Sequence, residues 1–234
     1  MAFKFKKFSI EDEKCTMKVG TDSVLFGAWV NPGNALSILD IGTGCGIIAL
    51  MLAQRSEALI DGIDIDEASV EQAKENVKKS KWGKRMSIVH CSVQKYFKMR
   101  ANHYDLIVCN PPYFSDNLKS PEKIRNIAKH SEYLSFDEII VASKKLLKTY
   151  GRICLILPTA ESNVFKEKAL ISNLYLTRIM TVRHHPNKEV KRVLMQFESL
   201  RKNRTEESIS IYDNSGEKFS KEYMELTKDY YLKF

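Results

Sequence analysis

Between Ser37 and Leu157, short aliphatic and β-branched runs alternate with longer helical patterns, and this alternation constrains the fold more than any other feature of the chain. It is the signature of right-handed βαβ units laid into a parallel sheet, because a crossover helix returns the chain to begin the next strand in the same direction. Strands are predicted at Ser37–Ile41, Leu59–Asp64, Met86–Cys91, Tyr104–Cys109 and Ile153–Leu157, with helices at Gly46–Arg55 and Ala68–Lys79. Ser135-Phe-Asp-Glu138 has the spacing of a capping box, so a helix should open there and run to about Lys148. After Pro158 the pattern changes to a helix near Glu161–Ser172 and two long runs, Leu174–Arg183 and Lys191–Ser199, which predict an antiparallel hairpin at the sheet edge. The polar stretch Arg201–Glu207 reads as a loop, and the long, poorly periodic segment Phe114–Leu134 as a functional loop.

A chain of 234 residues suits one α/β domain with modest additions. The expected layout is a single domain over 1–234, with an N-terminal extension (1–35), a core (36–200) and a C-terminal extension (201–234), acting as a monomer. The formal charge of +8 points toward a polyanionic partner without identifying it. Five cysteines, odd in number and widely spaced within apolar runs, argue against a disulfide framework or a zinc cluster. They read as buried thiols in a reducing cytoplasm. No apolar run is long enough to span a bilayer, and Met1–Phe8 lacks the apolar core of a signal peptide, so a cytoplasmic protein without membrane contact is expected.

The run Ile38-Leu-Asp-Ile-Gly-Thr-Gly-Cys-Gly46 delivers a strand into a glycine-rich turn that opens a helix. Gly42, Gly44 and Gly46 permit a tight turn and let a ligand approach the backbone. A dinucleotide-binding turn wants its third glycine one residue later, where this chain has Ile47, so the spacing disfavours a nicotinamide enzyme. Asp64, at the end of the second strand and about 20 residues past the turn, can accept both hydroxyls of an adenosine ribose. Asp66 instead stands at a helix N-cap. Asp40 either holds the turn or meets the amino-acid end of a cofactor. The octapeptide Leu39–Gly46 resembles the first motif of the Rossmann-like methyltransferases. That resemblance implies a mostly parallel seven-stranded α/β sheet with an antiparallel edge hairpin, helices on both faces, and S-adenosyl-L-methionine as cofactor.

Asn110-Pro-Pro-Tyr113 follows the fourth strand, at the carboxyl edge where open α/β sheets bind substrates. An aromatic amine is a poor nucleophile while its lone pair is delocalised into the ring. Acceptors that hold its hydrogens favour a pyramidal, reactive nitrogen, and the Asn110 side-chain oxygen and Pro111 carbonyl can supply both. Pro111 and Pro112 stiffen the turn and remove competing donors. Tyr113, with Phe114 beside it, offers a face for a flipped-out base. The tetrapeptide resembles the fourth motif of amino-group methyltransferases acting on adenine N6, cytosine N4 or a glutamine amide.

Three basic stretches suit RNA: Phe3, Phe5 and Phe8 interleaved with Lys4, Lys6 and Lys7; Arg183–Arg192 at the presumed hairpin tip; and the tail Lys228–Phe234. The first reads equally well as an edge strand with lysines outward. His184 and His185 have no carboxylate or cysteine at metal-ligand spacing, so no metal is expected. Phe5–Ile10, Met17–Trp29, Asn110–Phe114, Ala128-Lys-His130 and Leu226–Phe234 together resemble the bacterial valine-tRNA adenine-37 N6-methyltransferase family. The resemblance implies tRNA as partner and an adenosine beside the anticodon as acceptor. It also implies that Lys18, Thr21 and Asp22 line the cofactor pocket from an N-terminal helix, and that Arg125 and His130 contact substrate. One departure stands out, since Ser92 occupies a position where relatives often carry an aspartate that meets the cofactor's adenine amino group. A serine oxygen accepts a hydrogen bond without charge, and Gln94 is a neighbour able to compensate. Kept beside this reading are glutamine methylation of a protein, amino-group methylation of ribosomal RNA, and a non-catalytic RNA-binding factor.

Overall fold

A computed structural model describes residues 2–100, 103–111 and 134–233. The main sheet is built from β3 (Ser37–Ile41), β4 (Leu59–Asp64), β5 (Met86–His90), β6 (Tyr104–Cys109), β7 (Leu147–Pro158), β8 (Tyr175–Arg183), β9 (Val190–Glu198) and β10 (Thr205–Ser210). Their order is β10-β8-β9-β7-β6-β3-β4-β5, and β9 alone runs against its neighbours. Crossover helices α2 (Ile47–Ala53), α3 (Glu67–Lys79), α4 (Val93–Met99), α5 (Phe136–Leu146) and α6 (Thr159–Ile171) link the strands. A helix α1 (Thr21–Trp29) precedes the sheet, α7 (Lys221–Thr227) follows it, and β1 (Phe3–Lys4) pairs with β2 (Ser9–Ile10) in a separate ribbon.

Strand alternation sorts the apolar side chains onto two faces. Ile38, Ile60, Leu106, Val108, Cys154 and Ile156 point into a core shared with α1, α2 and α3. Leu39, Ile63, Ile107, Cys109, Ile153 and Leu155 point the other way, under α4, α5 and α6. Each fully buried Leu, Ile or Phe contributes roughly 1.5–3 kcal/mol, which is what fixes the register of strands buried on both faces. The Ser135 capping box is present, with Ser135 Oγ accepting from Glu138 N and the Glu138 carboxylate accepting from Ser135 N at 2.8 Å.

Three expectations change. The sheet has eight strands rather than seven, because β10 begins inside the segment expected as a loop, pairs in parallel with β8 and covers the hairpin edge. Its polar sequence suits an edge strand, and Glu207 accepts Arg178 Nε at 2.7 Å across the pairing. Next, β7 starts at Leu147, six residues before the predicted start at Ile153, so α5 stops at Leu146. Lastly, Phe5 and Phe8 are buried and stacked at 4.7 Å, so neither is free to stack on a base, while Lys4, Lys6 and Lys7 face outward. The tail is likewise tied down: Tyr230 is buried and donates to the Met51 carbonyl at 3.0 Å, and Lys6 N donates to the Tyr230 carbonyl at 2.8 Å.

Candidate active site

Strand register sets the site. Ile41 lies level with Ile63 on one side and Cys109 on the other, so the residues that follow, Gly42, Asp64 and Asn110, emerge together at the carboxyl edge of β3, β4 and β6. Ile63's carbonyl accepts from both Gly42 N at 2.9 Å and Thr43 N at 3.0 Å, which folds the turn back over the sheet. Gly42, Gly44 and Gly46 all have left-handed backbone, with φ of 70°, 54° and 82°. A Cβ at Gly42 or Gly44 would meet nothing within 4 Å, so the turn presents bare backbone to open space. At Gly46 a Cβ would touch Ala73 Cβ at 3.5 Å, so this glycine serves helix packing as well as the turn.

The half-buried Asp64 binds the turn from below: one carboxylate oxygen accepts Gly44 N at 2.8 Å and the other accepts Asp66 N at 3.0 Å. Each oxygen retains a lone pair for a further donor. Asp66 stands at the N-cap of α3 as expected, yet its carboxylate accepts the Ser69 hydroxyl at 2.6 Å rather than a backbone N–H. Asp40 is wholly buried, accepts the Thr43 hydroxyl at 2.8 Å, and is pushed up to about 7 by burial. Its Oδ1 has no hydrogen-bond partner among the described residues. Burial also pushes the Cys109 thiol well up, with Asp40 and Asp64 adding to the effect, which keeps that sulfur neutral.

Asn110 is half-buried and Pro111 buried at the mouth of β6. Pro112, Tyr113, Phe114, Arg125 and His130 lie outside the described residues, as does most of Phe114–Leu134. The N-terminal candidates reach the same edge. α1 lies along α2, with Gly27 against Met51 and Arg55 donating to the Val30 carbonyl at 2.7 Å, so its start points toward the glycine turn. There Thr21 is exposed, while Lys18 Nζ donates to the Asp12 and Glu13 carbonyls at 2.7 and 3.0 Å. Asp22 accepts Arg192 Nε at 2.7 Å, so its carboxylate is already held by β9. Ser92 caps α4 by accepting Lys95 N, and Gln94 donates to Glu138 at 2.6 Å. Gln94 is therefore committed to α5 rather than turned toward an adenine.

Sequence reading missed Asn76. Buried on α3, it donates to the Cys45 carbonyl at 2.9 Å and the Glu11 carbonyl at 2.7 Å, and accepts from Glu11 N at 3.0 Å. One amide thus fastens the N-terminal segment to the glycine turn. The available signal was a polar residue in helical register with the buried Val70, Ala73 and Val77.

Comparison with known proteins meets this geometry. Residues 23–160 match the family model of the Methyltransferase small domain. A tRNA1(Val) (adenine(37)-N6)-methyltransferase of Trichodesmium erythraeum is 41% identical over 239 residues, covering 99% of this chain and 98% of its own. The enzyme of that name from Flavobacterium psychrophilum is 42% identical, covering 99% of both chains. This chain belongs to that methyltransferase family. At the level of fold alone, it superposes with a TM-score of 0.71 and 16% identity on a predicted O-methyltransferase from Agrobacterium tumefaciens, over 88% of this chain and 95% of the other. A putative RNA methyltransferase from Pyrococcus horikoshii gives 0.57 at 10% identity, over 85% and 94%.

The edge fits the methyltransferase cofactor S-adenosyl-L-methionine. A turn of bare backbone admits a ligand, and Asp64 keeps acceptor capacity where a ribose would lie. Among the described residues no group of three or more His, Cys, Asp or Glu could hold a metal, and no helix is long and apolar enough to cross a membrane. All five cysteines are free, four of them buried.

Proposed function

We propose that this chain methylates the N6 amino group of adenosine 37 in a valine tRNA, using S-adenosyl-L-methionine as donor. The observation that carries the reading is identity of about 40% over 99% of the chain to enzymes named for that reaction. Its net charge of +8 suits a polyanionic substrate, and its free thiols suit the cytoplasm. We read residues 1–234 as one working domain, with the segment before β3 covering the cofactor edge.

When bound, the cofactor supplies an electrophilic sulfonium methyl group. Asp64 would hold its ribose hydroxyls, the Gly42–Gly46 backbone would leave room for its thioether arm, and Asp40 would anchor the turn. Thr21 and Ser92 would stand at the rim of the same pocket, while Lys18 and Asp22 would act through the N-terminal segment and Arg192. Asn110 Oδ1 and the Pro111 carbonyl would take the two amine hydrogens of adenine, which localises the nitrogen lone pair and orients it out of the ring plane. No strong base is required, because the proton becomes acidic once the nitrogen is alkylated. Pro112, Tyr113 and Phe114 would sandwich the extruded base, with Arg125 and His130 holding its neighbours.

The test is methyl transfer from labelled donor to unmodified tRNA, with nucleoside analysis of the product. Asn110→Ala should lower kcat by about 10²–10³-fold while leaving tRNA affinity within about twofold. N6-methylated product from the variant at the native rate would remove Asn110 from the chemistry. Transfer to a protein glutamine or ribosomal RNA, with none to tRNA, would overturn the substrate.

A further inference from the structure

The carboxyl edge that holds Asn110 continues beyond it. β7 and β8 both run antiparallel to β9, and β10 runs parallel to β8, so the ends of β8 and β10 share the edge with the end of β6. β8 is three strands from β6, about 14 Å at the usual interstrand spacing. Past the formal strand ends the pairing persists: Ile211 N donates to the Arg183 carbonyl and Tyr212 N to the His184 carbonyl, each at 2.9 Å.

These bonds hold an aromatic pile at the edge. His185 stacks on Tyr212 at 5.3 Å and 23°, Tyr212 on Phe219 at 5.2 Å and 13°, and Phe219 on the buried Tyr223 at 5.1 Å and 22°. His184 is exposed beside the pile, 6.4 Å from both His185 and Tyr212 and inclined 25° to the latter. The same hairpin carries Arg183, Lys188 and Lys191, none with an ion-pair partner among the described residues. An exposed ring anchored to the core through stacked neighbours, with unpaired cations beside it, has the composition of a single-strand nucleic-acid platform: a π-face for a base and charges for its phosphates.

We propose that His184 stacks an unpaired base of the substrate RNA a few nucleotides from the target adenosine, while Lys188 and Lys191 contact the intervening phosphates. The proposal rests on the tRNA reading above and adds a second anchor to it. Two contacts about 19 Å apart, three strands across and four residues further along β8, fix the direction of the strand, as one extruded base does not.

The experiment uses the full chain and a series of anticodon stem-loop RNAs, each carrying one abasic nucleotide near the target. KM and kcat are measured for wild type, His184→Ala and His184→Phe, with melting temperature and S-adenosylhomocysteine affinity as controls. His184→Ala should raise KM for intact RNA about tenfold with kcat at saturating RNA nearly constant, and His184→Phe should restore it. At one abasic position the alanine variant and wild type should converge. A KM equal to wild type, or a penalty identical at every abasic position, overturns the role of His184. Wild type that methylates no tRNA overturns the substrate reading instead.

Discussion

Asp40, on β3 beside the glycine turn, has a carboxyl pushed up to about 7 from 3.8 by burial, and its protonation should therefore write itself into the stability of the protein. A raised carboxyl binds its proton more firmly in the folded chain than in the unfolded one. Its contribution is fully present below the unfolded value near 4 and is lost as pH rises through about 7. A rise from 3.8 to about 7 corresponds to a cost of about 4 kcal/mol above pH 8. Asp40→Asn keeps the shape and the acceptor for Thr43 but carries no charge. Replacing a charged acceptor by a neutral one forfeits about 1 kcal/mol of that hydrogen bond. The variant should thus be more stable than wild type by about 3 kcal/mol at pH 8.5, a gap that shrinks to less than about 1 kcal/mol at pH 5. Urea unfolding of both proteins between pH 5 and pH 8.5 measures the gap directly. Subtraction removes every other titrating group, so a gap that stays constant across this range would refute a buried, titrating Asp40.

Two further substitutions separate binding from scaffolding. Asp64→Ala removes the acceptor of Gly44 N and Asp66 N as well as the proposed ribose contact, so affinity for S-adenosylhomocysteine by calorimetry should fall at least about tenfold. An unchanged affinity would take Asp64 out of the cofactor site. Arg178 reaches Glu207 twice at 2.7 and 3.0 Å, the Trp29 carbonyl at 3.1 Å, and the Trp29 ring at 4.3 Å. Arg178→Ala should cost about 2 kcal/mol in chemical unfolding, with Arg178→Lys recovering little because a point charge cannot make the fork; full recovery by lysine would show that charge alone matters there.

The parallel core was legible because its physics is local. β3, β4 and β6 are apolar runs bounded by turn residues, and a left-handed turn at residues 42, 44 and 46 demands glycine wherever it occurs. β10 was hidden because Thr205–Ser210 has one buried apolar side chain, Ile209, and is ordered instead by partners far away in sequence. Thr205 Oγ1 finds the Thr177 carbonyl at 3.3 Å, and Glu207 finds Arg178. The Phe5–Phe8 pattern suited either a nucleic-acid surface or a buried ribbon. Packing against Tyr231, 6.2 Å from Phe5, decided it, and no window along the chain contains both residues.

The same distinction runs through the site itself. Asp64 and the glycines announce themselves by spacing, but the N-terminal segment reaches the cofactor edge through Asn76, whose single amide bonds Glu11 twice and Cys45 once. A buried amide with three good partners is costly to leave unpaired, so the turn and the segment that covers it are held as one unit. Motion of residues 11–18 is thereby coupled to the glycine turn, while Lys18 is held by the Asp12 and Glu13 carbonyls and Asp22 by Arg192. That explains why α1 by itself reads as an ordinary polar helix start. An asparagine on α3 and an arginine on β9 draw the segment onto the sheet edge.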